Sequence, residues 1–248
     1  MTDKPSVLRD LDPEALTLGR TLLRSARSVA LAVQDAASGF PAVSRALMAT
    51  DLDGTPLILV STLAAHTRSL AGEPRCSLLA GEPGKGDPLA HPRVTLFALA
   101  EPVPRGSQDH DRARRRFLNR HPKSALYIDF PDFSFYRLRP DHASLNGGFG
   151  RAYAIDGGLF TFSFPLDQAA WLAAEEGLMN GGQDATALAR AFGAPKAEHY
   201  RICGMDPAGI DISGTDPAGR DRIYRHEFDD IFVQPDDAID ELMRILGN

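Results

Sequence analysis

Residues 43–62 read VSRALMATDLDGTPLILVST, two apolar runs, Val43 to Thr50 and Leu57 to Ser61, joined by Asp51-Leu52-Asp53-Gly54. The link is made of turn-forming residues, and Gly54 can take the positive φ that a tight reversal asks for. This stretch predicts an antiparallel hairpin. Upstream, Val29, Leu31 and Val33 alternate with Ala30 and Ala32, the period-two pattern of another strand. Downstream, Cys76 to Ala80 and Val94 to Ala100 add two more, separated by the loop Gly81 to Pro88, whose sequence GEPGKGDP has too much Gly and Pro for regular structure. A charged helix is expected from Gln108 to Asn119, after which Ser134 to Leu138 and Arg151 to Ile155 return to extended runs. Ahead of all of them, Pro13 to Ala26 sets Ala15, Leu16, Leu18, Leu22 and Leu23 near one face of a helix. Short strands with hairpin links and one inserted helix indicate an antiparallel barrel.

The pattern changes near Pro165. Leu166 to Phe192 is helical in composition with a break at Gly181-Gly182, and short strands follow at His199 to Cys203, Ile210 to Ser213 and Arg222 to Phe228. Asp236 to Leu246 then repeats Ile239, Leu242, Met243 and Leu246 on one face of a closing helix. Two domains are expected, 1–160 for the barrel and 165–248 for a small α+β unit. The basic run Arg112 to Arg116 reads as a solvated helix face.

With 248 residues, 43% of them hydrophobic, the chain can bury one large core or two modest ones. A formal charge of −6 argues against a protein whose main work is neutralising a phosphate backbone, so no nucleic-acid partner is expected. Met1 to Glu14 carries Asp3, Lys4, Arg9, Asp10 and Asp12 without a long apolar run, so neither a signal peptide nor a membrane anchor is expected, and a cytoplasmic location is. Cys76 and Cys203 are too few and too isolated for a disulfide framework or a zinc site, and read as buried small hydrophobes.

The chemistry concentrates between Val43 and Ala100. Arg45 shares its side of a strand with Val43, Leu47 and Ala49, and an arginine on an apolar face needs an anion, phosphate or carboxylate, to offset desolvation. Ser61 and Thr62 end the next strand, and Thr67-Arg68 follow in a short helix reaching Leu70, so hydroxyls, a guanidinium and helix amides converge. The plainer alternative makes Ser61 or Thr62 a helix cap and Arg68 a surface residue. Gly147, Gly148 and Gly150 either let a flat ligand lie against the backbone or make a bulge at a barrel corner. No acid–base pair or Ser-His-Asp set can be assembled from spacing, so the catalytic residues stay unknown.

The run VSRALMATDLDGTPLILVSTLAAHTRSLAGEPRCSLL from Val43, with His91-Pro92-Arg93-Val94-Thr95-Leu96 after it, resembles the flavin-binding half of the pyridoxamine 5'-phosphate oxidase-like split barrels. Tyr136-Arg137-Leu138-Arg139-Pro140 and Asn146-Gly147-Gly148-Phe149-Gly150-Arg151-Ala152 are similar to its haem-utilisation branch, of the HugZ type. The resemblance implies an α+β fold, an antiparallel six-stranded split β-barrel of the FMN-binding type followed by a small α+β C-terminal domain. It further implies a homodimer with each cofactor pocket built by both chains. By the same likeness Arg45, Ser61, Thr62, Thr67 and Arg68 hold the FMN phosphate, and Arg93 to Thr95 border the isoalloxazine. Departures are visible: Thr50 replaces the usual lysine, Thr67-Arg68 replaces an Arg-Lys pair, and no Arg- and Trp-containing motif follows Ile155, so vitamin B6 oxidation is not expected.

In the haem-utilisation branch the same cleft holds a tetrapyrrole, and the likeness puts His66, Arg93 and the Gly147 to Arg151 segment near it. Arg93 and Arg151 would then face haem propionates, and His226 would be the iron ligand. The branch's Asn-x-Asp-His motif appears here as Asn180-Gly181-Gly182-Gln183-Asp184, without its histidine. Two functions follow from the likeness, an FMN- or haem-dependent oxidoreductase of haem utilisation or degradation, and a non-catalytic tetrapyrrole or flavin carrier.

Overall fold

The computed structural model describes residues 8–148, 150–162 and 167–247. Residues 1–7, Phe149, and the expected boundary at Pro165 with the helix start at Leu166 lie outside them. The polypeptide opens with α1 (Pro13–Ser25), capped by Asp12, whose carboxylate accepts the Ala15 amide at 2.7 Å, and pre-set by Pro13 at its first turn. Ten strands follow among the described residues: β1 (Ser28–Gln34), β2 (Pro41–Thr50), β3 (Pro56–Ser61), β4 (Arg75–Ala80), β5 (Arg93–Pro102), β6 (Phe133–Asn146) and β7 (Ala152–Asp156), then β8 (Glu198–Asp206), β9 (Gly209–Thr215) and β10 (Asp221–Glu227). Helices α2 (Ala65–Gly72) and α3 (Gln108–Arg120) interrupt the first set, and α4 (Gln168–Asn180), α5 (Ala185–Ala191) and α6 (Pro235–Leu246) complete the second half.

The first sheet runs β3-β2-β1-β4-β5-β6-β7, and β3 also pairs with β6. That extra pairing closes a six-stranded antiparallel barrel and leaves β7 as an added strand on β6. Gly54 takes φ +85 in the β2–β3 turn, as the hairpin reading requires. Alternate residues fill the interior: Leu31, Met48, Ile58, Leu78, Leu96, Leu138 and Leu145 are fully buried, with Ala15 and Leu23 of α1 packed against them. A second cluster joins Leu57, Leu59 and Phe135 of the barrel wall to Ala113 and Phe117 of α3. The second half builds a three-stranded sheet, β10-β9-β8, over a core of Trp171, Leu188, Met205, Ile210 and Leu242 that also takes in Leu52 from the β2–β3 turn. The helical run breaks at Gly181-Gly182 as its composition predicts.

One expectation is overturned. Far from forming a solvated face, Arg112, Arg116 and Arg120 recur every fourth residue along one buried stripe of α3. Arg112 grips Asp51 in bidentate fashion at 2.7 and 2.9 Å. Arg116 donates to Glu175 at 2.7 Å and to the Thr50 and Met205 carbonyls, and Arg120 reaches Asp211 at 3.2 Å. Arg112 meets Asp109 one helical turn away at 2.8 Å, but Asp51 and Glu175, the buried acids of Arg112 and Arg116, lie 61 and 59 residues away, which is why the run does not reveal them until the chain folds. Arg24 on Glu227 at 2.7 Å, and Arg225 bidentate on Asp206 at 2.8 Å, extend this seam between the barrel and the second sheet. Burial pushes the Asp206 carboxyl upward, but Arg225, Arg24 and Arg116 outweigh it and hold it at about 2.

Candidate functional site

Antiparallel registers fix which side chains share the barrel's outward face. Arg45 sits opposite Ala30, Ala30 opposite Leu79, Leu79 opposite Thr95, and Thr95 opposite Ser144. The next row carries Val43, Ala32, Ser77, Phe97 and His142. Inward neighbours are buried, whereas Val43 is 68% and Leu79 42% exposed. The result is an open sheet face of mixed character, with Ala30, Ala32, Val43, Leu79 and Phe97 interleaved with Thr95, Ser77, Ser144 and His142, and with a guanidinium at its side. Ala49, which the alternation puts on Arg45's side, is instead buried beneath α3.

The Arg45 side chain is exposed and makes no hydrogen bond or ion pair among the described residues. It lines a cleft of about 660 Å³ with Ala30, Val43, Leu79 and Gly81 to Pro83. Thr95 lies on the same row three strand spacings away, about 14 Å. Arg93 begins the same strand, half-buried, with Nη1 donating to the Leu89 and His91 carbonyls at 3.4 Å each.

The hydroxyl-rich turn after β3 has internal partners. The Ser61 hydroxyl donates to Asp132 at 2.6 Å and accepts the Leu63 amide at 3.1 Å. Thr67 donates to the Ser61 carbonyl at 2.6 Å, and Arg68 to the Leu63 carbonyl at 2.9 Å. Thr62 is exposed, and its amide donates to the Asp132 carbonyl. Helix α2 begins after Ala64 with no side-chain cap, so neither Ser61 nor Thr62 caps it. His66 pairs through Nδ1 with the Ser44 hydroxyl at 3.0 Å, and burial pushes its pKa down, which keeps the ring neutral at neutral pH.

The remaining expected residues lie elsewhere. Arg151 closes the β6–β7 turn: its carbonyl accepts the Gly147 amide, and Gly148 and Gly150 take φ of +109 and +70. A Cβ on Gly147 would fall 3.1 Å from Arg151 Nε, so the close approach those glycines permit is filled by Arg151 itself. The Arg151 guanidinium also faces Glu14 at 3.9 Å. His226 stands on β10 with its ring stacked on Phe192 at 3.8 Å and 3°; burial, then Arg225, pushes its pKa down. It is four residues along an extended strand, about 13 Å, from Arg222, whose guanidinium pairs with Glu82 at the rim of the Arg45 cleft.

Two groups at these places carry no local sequence signal. Asp132 comes from 71 residues beyond the serine it engages. His142 lies on the outward face, stacked on Phe97 at 4.3 Å and 8°, with Nδ1 held by Asp141 at 2.6 Å. Its place on the face follows from the period of β6, but that strand runs eight residues beyond the Leu138 at which the apolar pattern stops. No group of three or more metal-ligating side chains exists among the described residues, and no helix among them is long and apolar enough to cross a membrane.

Known proteins share this architecture. A chloroplastic heme oxygenase, HOZ, of Arabidopsis thaliana is 30% identical over 184 residues, 71% of this chain and 56% of that one. The chain thus spans about half the length of this curated relative. A solved Agrobacterium tumefaciens protein of unknown function superposes with a TM-score of 0.80 at 27% identity, covering 97% of this chain and all of that one. A heme binding protein from Mycobacterium smegmatis gives 0.55 at 27% identity, covering 96% and 98%. Residues 17–161, from α1 through the closed barrel and β7, match the CREG β-barrel family, and the chain belongs to it.

Proposed function

We propose that the chain binds haem on the outward face of its barrel, as a cytoplasmic homodimer serving haem utilisation. The observation that carries this is Arg45, an exposed guanidinium without a partner among the described residues, set in a cleft on a sheet face that those residues leave uncovered. Haem is flat and apolar with anionic propionates at one edge. Ala30, Ala32 and Leu79 offer a flat surface, and Arg45 offers forked donors for a carboxylate. His142, on the same face but lining a separate cleft with Phe97, has Nδ1 engaged by Asp141 and would keep Nε2 for iron, an arrangement that holds a ligating ring in one orientation. Similarity to a heme oxygenase and to a heme binding protein supports the reading. Bound haem would supply redox chemistry at its iron; the protein's residues would bind and orient it and exclude water.

The FMN phosphate fits less well at the turn after β3. Ser61, Thr67 and Arg68 already donate within the chain, and the Asp132 carboxylate stands where a phosphate would have to approach Ser61. The division at 1–160 and 165–248 carries into this reading, the barrel holding the ligand and the second unit buttressing it through the buried arginine seam. Two buried, unpaired cysteines fit a reducing compartment.

Titration of the purified protein with haemin should give a saturable Soret band. Arg45→Ala should weaken binding by about 1.5–3 kcal/mol, the worth of a charged hydrogen bond, and His142→Ala should change the band itself. FMN titrated in parallel should bind more weakly. An undefined band with haemin, or tighter FMN binding, would overturn the haem reading.

A further inference from the structure

On another side of the barrel, its wall and the second sheet enclose a cleft of about 470 Å³. Both halves of the chain line it: Arg27 precedes β1, Lys123 lies in the turn after α3, and His199 and Arg201 stand on β8. Asp221 is the one carboxylate among the described residues lining it, and it lies 3.6 Å from Arg27. A chain of formal charge −6 therefore gathers three permanent cations around one carboxylate at this place, a local excess of two positive charges. The charges are felt mutually: burial pushes the Arg27 pKa down, Asp221 raises it, and Arg120 and Arg201 lower it again.

Two further features belong to the same wall. His199 has φ +53, the single non-glycine residue among those described in the left-handed region, and it falls where the β8–β9 register shifts between Glu198 and Arg201. Side chains adopt that backbone only where the surroundings enforce it, and such outliers concentrate at binding sites. Hydroxyls complete the lining, Ser124 with Tyr127 at 2.9 Å, and Thr215. Leu47 and Pro122 make its apolar part.

We propose that this cleft is a binding site for a small phosphate-bearing molecule, its phosphate held by Arg27, Lys123, Arg201 and His199. A phosphate dianion matches the excess of two charges, and Arg and Lys together offer both forked and point-charge donors to its oxygens. The volume lies in the range of small-molecule sites, about 300–1,000 Å³, and exceeds what a bare ion fills, so an organic body would rest on Leu47, Pro122 and the Tyr127 ring. This site is distinct from the Arg45 cleft and does not depend on the haem reading.

Isothermal titration of the full chain with pyrophosphate and with glucose 6-phosphate tests it, with glucose and citrate as comparisons. Both phosphates should bind and raise the melting temperature, glucose should do neither, and citrate should bind more weakly than glucose 6-phosphate. Lys123 is exposed, so Lys123→Glu should leave the circular dichroism spectrum unchanged while weakening both phosphates at least tenfold; Arg201→Gln should act in the same direction. Absence of phosphate binding, citrate as the tighter ligand, or parent affinity in Lys123→Glu would overturn the proposal. Haemin binding should be the same in parent and Lys123→Glu; its loss together with phosphate would mean that the cleft serves the tetrapyrrole instead.

Discussion

His121 shows how one buried residue ties stability to pH. Its Nε2 lies 2.7 Å from the Met48 carbonyl, so that nitrogen carries the proton, and the ring is 3% exposed. Burial, with smaller contributions from Arg120 and Arg27, pushes its pKa from 6.5 to about 3, against an opposing lift from the Met48 bond. Between those values the unfolded chain binds a proton that the folded chain refuses, so stability falls as pH drops from 6.5 toward 3. The slope is about 1.4 kcal/mol per pH unit for one such group. His66 and His226, both lowered by burial, add in the same direction. Asp206 enters only later, because its stabilisation is lost between 3.8 and about 2. Urea midpoints measured from pH 7 to 4.5 should therefore fall steadily. His121→Gln, which keeps a donor for Met48 and has no proton to take up, should flatten that fall; an identical slope in the variant would assign the dependence elsewhere.

At the scale of the element, α3 carries its meaning in its periodicity. Arg112, Arg116 and Arg120 point into the seam, Ala113 and Phe117 into the barrel-wall core, and Arg114 outward to an exposed pair with Asp129 at 2.6 Å. Equal charge on neighbouring residues should give unequal effects. Arg116→Ala removes the nearest cation from Glu175, leaving it Arg115 at 3.5 Å and the Met205 amide at 3.2 Å; the carboxyl is fully buried and pushed up by that burial even with Arg116, so the variant should cost about 3 kcal/mol in denaturant unfolding. Arg114→Ala, losing only a surface pair, should stay within about 0.5 kcal/mol of the parent.

Across the molecule as a whole, the outward barrel face around Arg45 is left bare among the described residues. Val43 and Leu79 flank Arg45 in the open, and a homodimer that covers this face would need to bury about 1,200–2,000 Å² in total. Since both side chains are exposed within one chain, Val43→Glu combined with Leu79→Glu should fold normally and sediment as a monomer, while the parent sediments as a dimer. A parent that is monomeric at micromolar concentration would remove the dimer from the functional reading.

Strand periodicity and turn chemistry are local, so the sequence alone determined where the barrel strands lie, apart from the second half of β6 beyond Leu138, together with the Gly54 hairpin, the break at Gly181-Gly182 and the closing helix. Resemblance in Val43 to Leu79 and around Arg93 carried the family, because those residues lie in consecutive strands whose order the chain preserves. Partnership is not local. Ser61 looked available for a phosphate until folding brought Asp132 onto it, and Arg112 and Arg116 looked solvated until Asp51 and Glu175 arrived from distant segments. His142 and the cleft around Arg201 were equally invisible, since each depends on which strands lie side by side. Only the tertiary structure decided which charged groups were paired and with what, because a charge's partner is set by distance in space, over which the order of residues has no direct control.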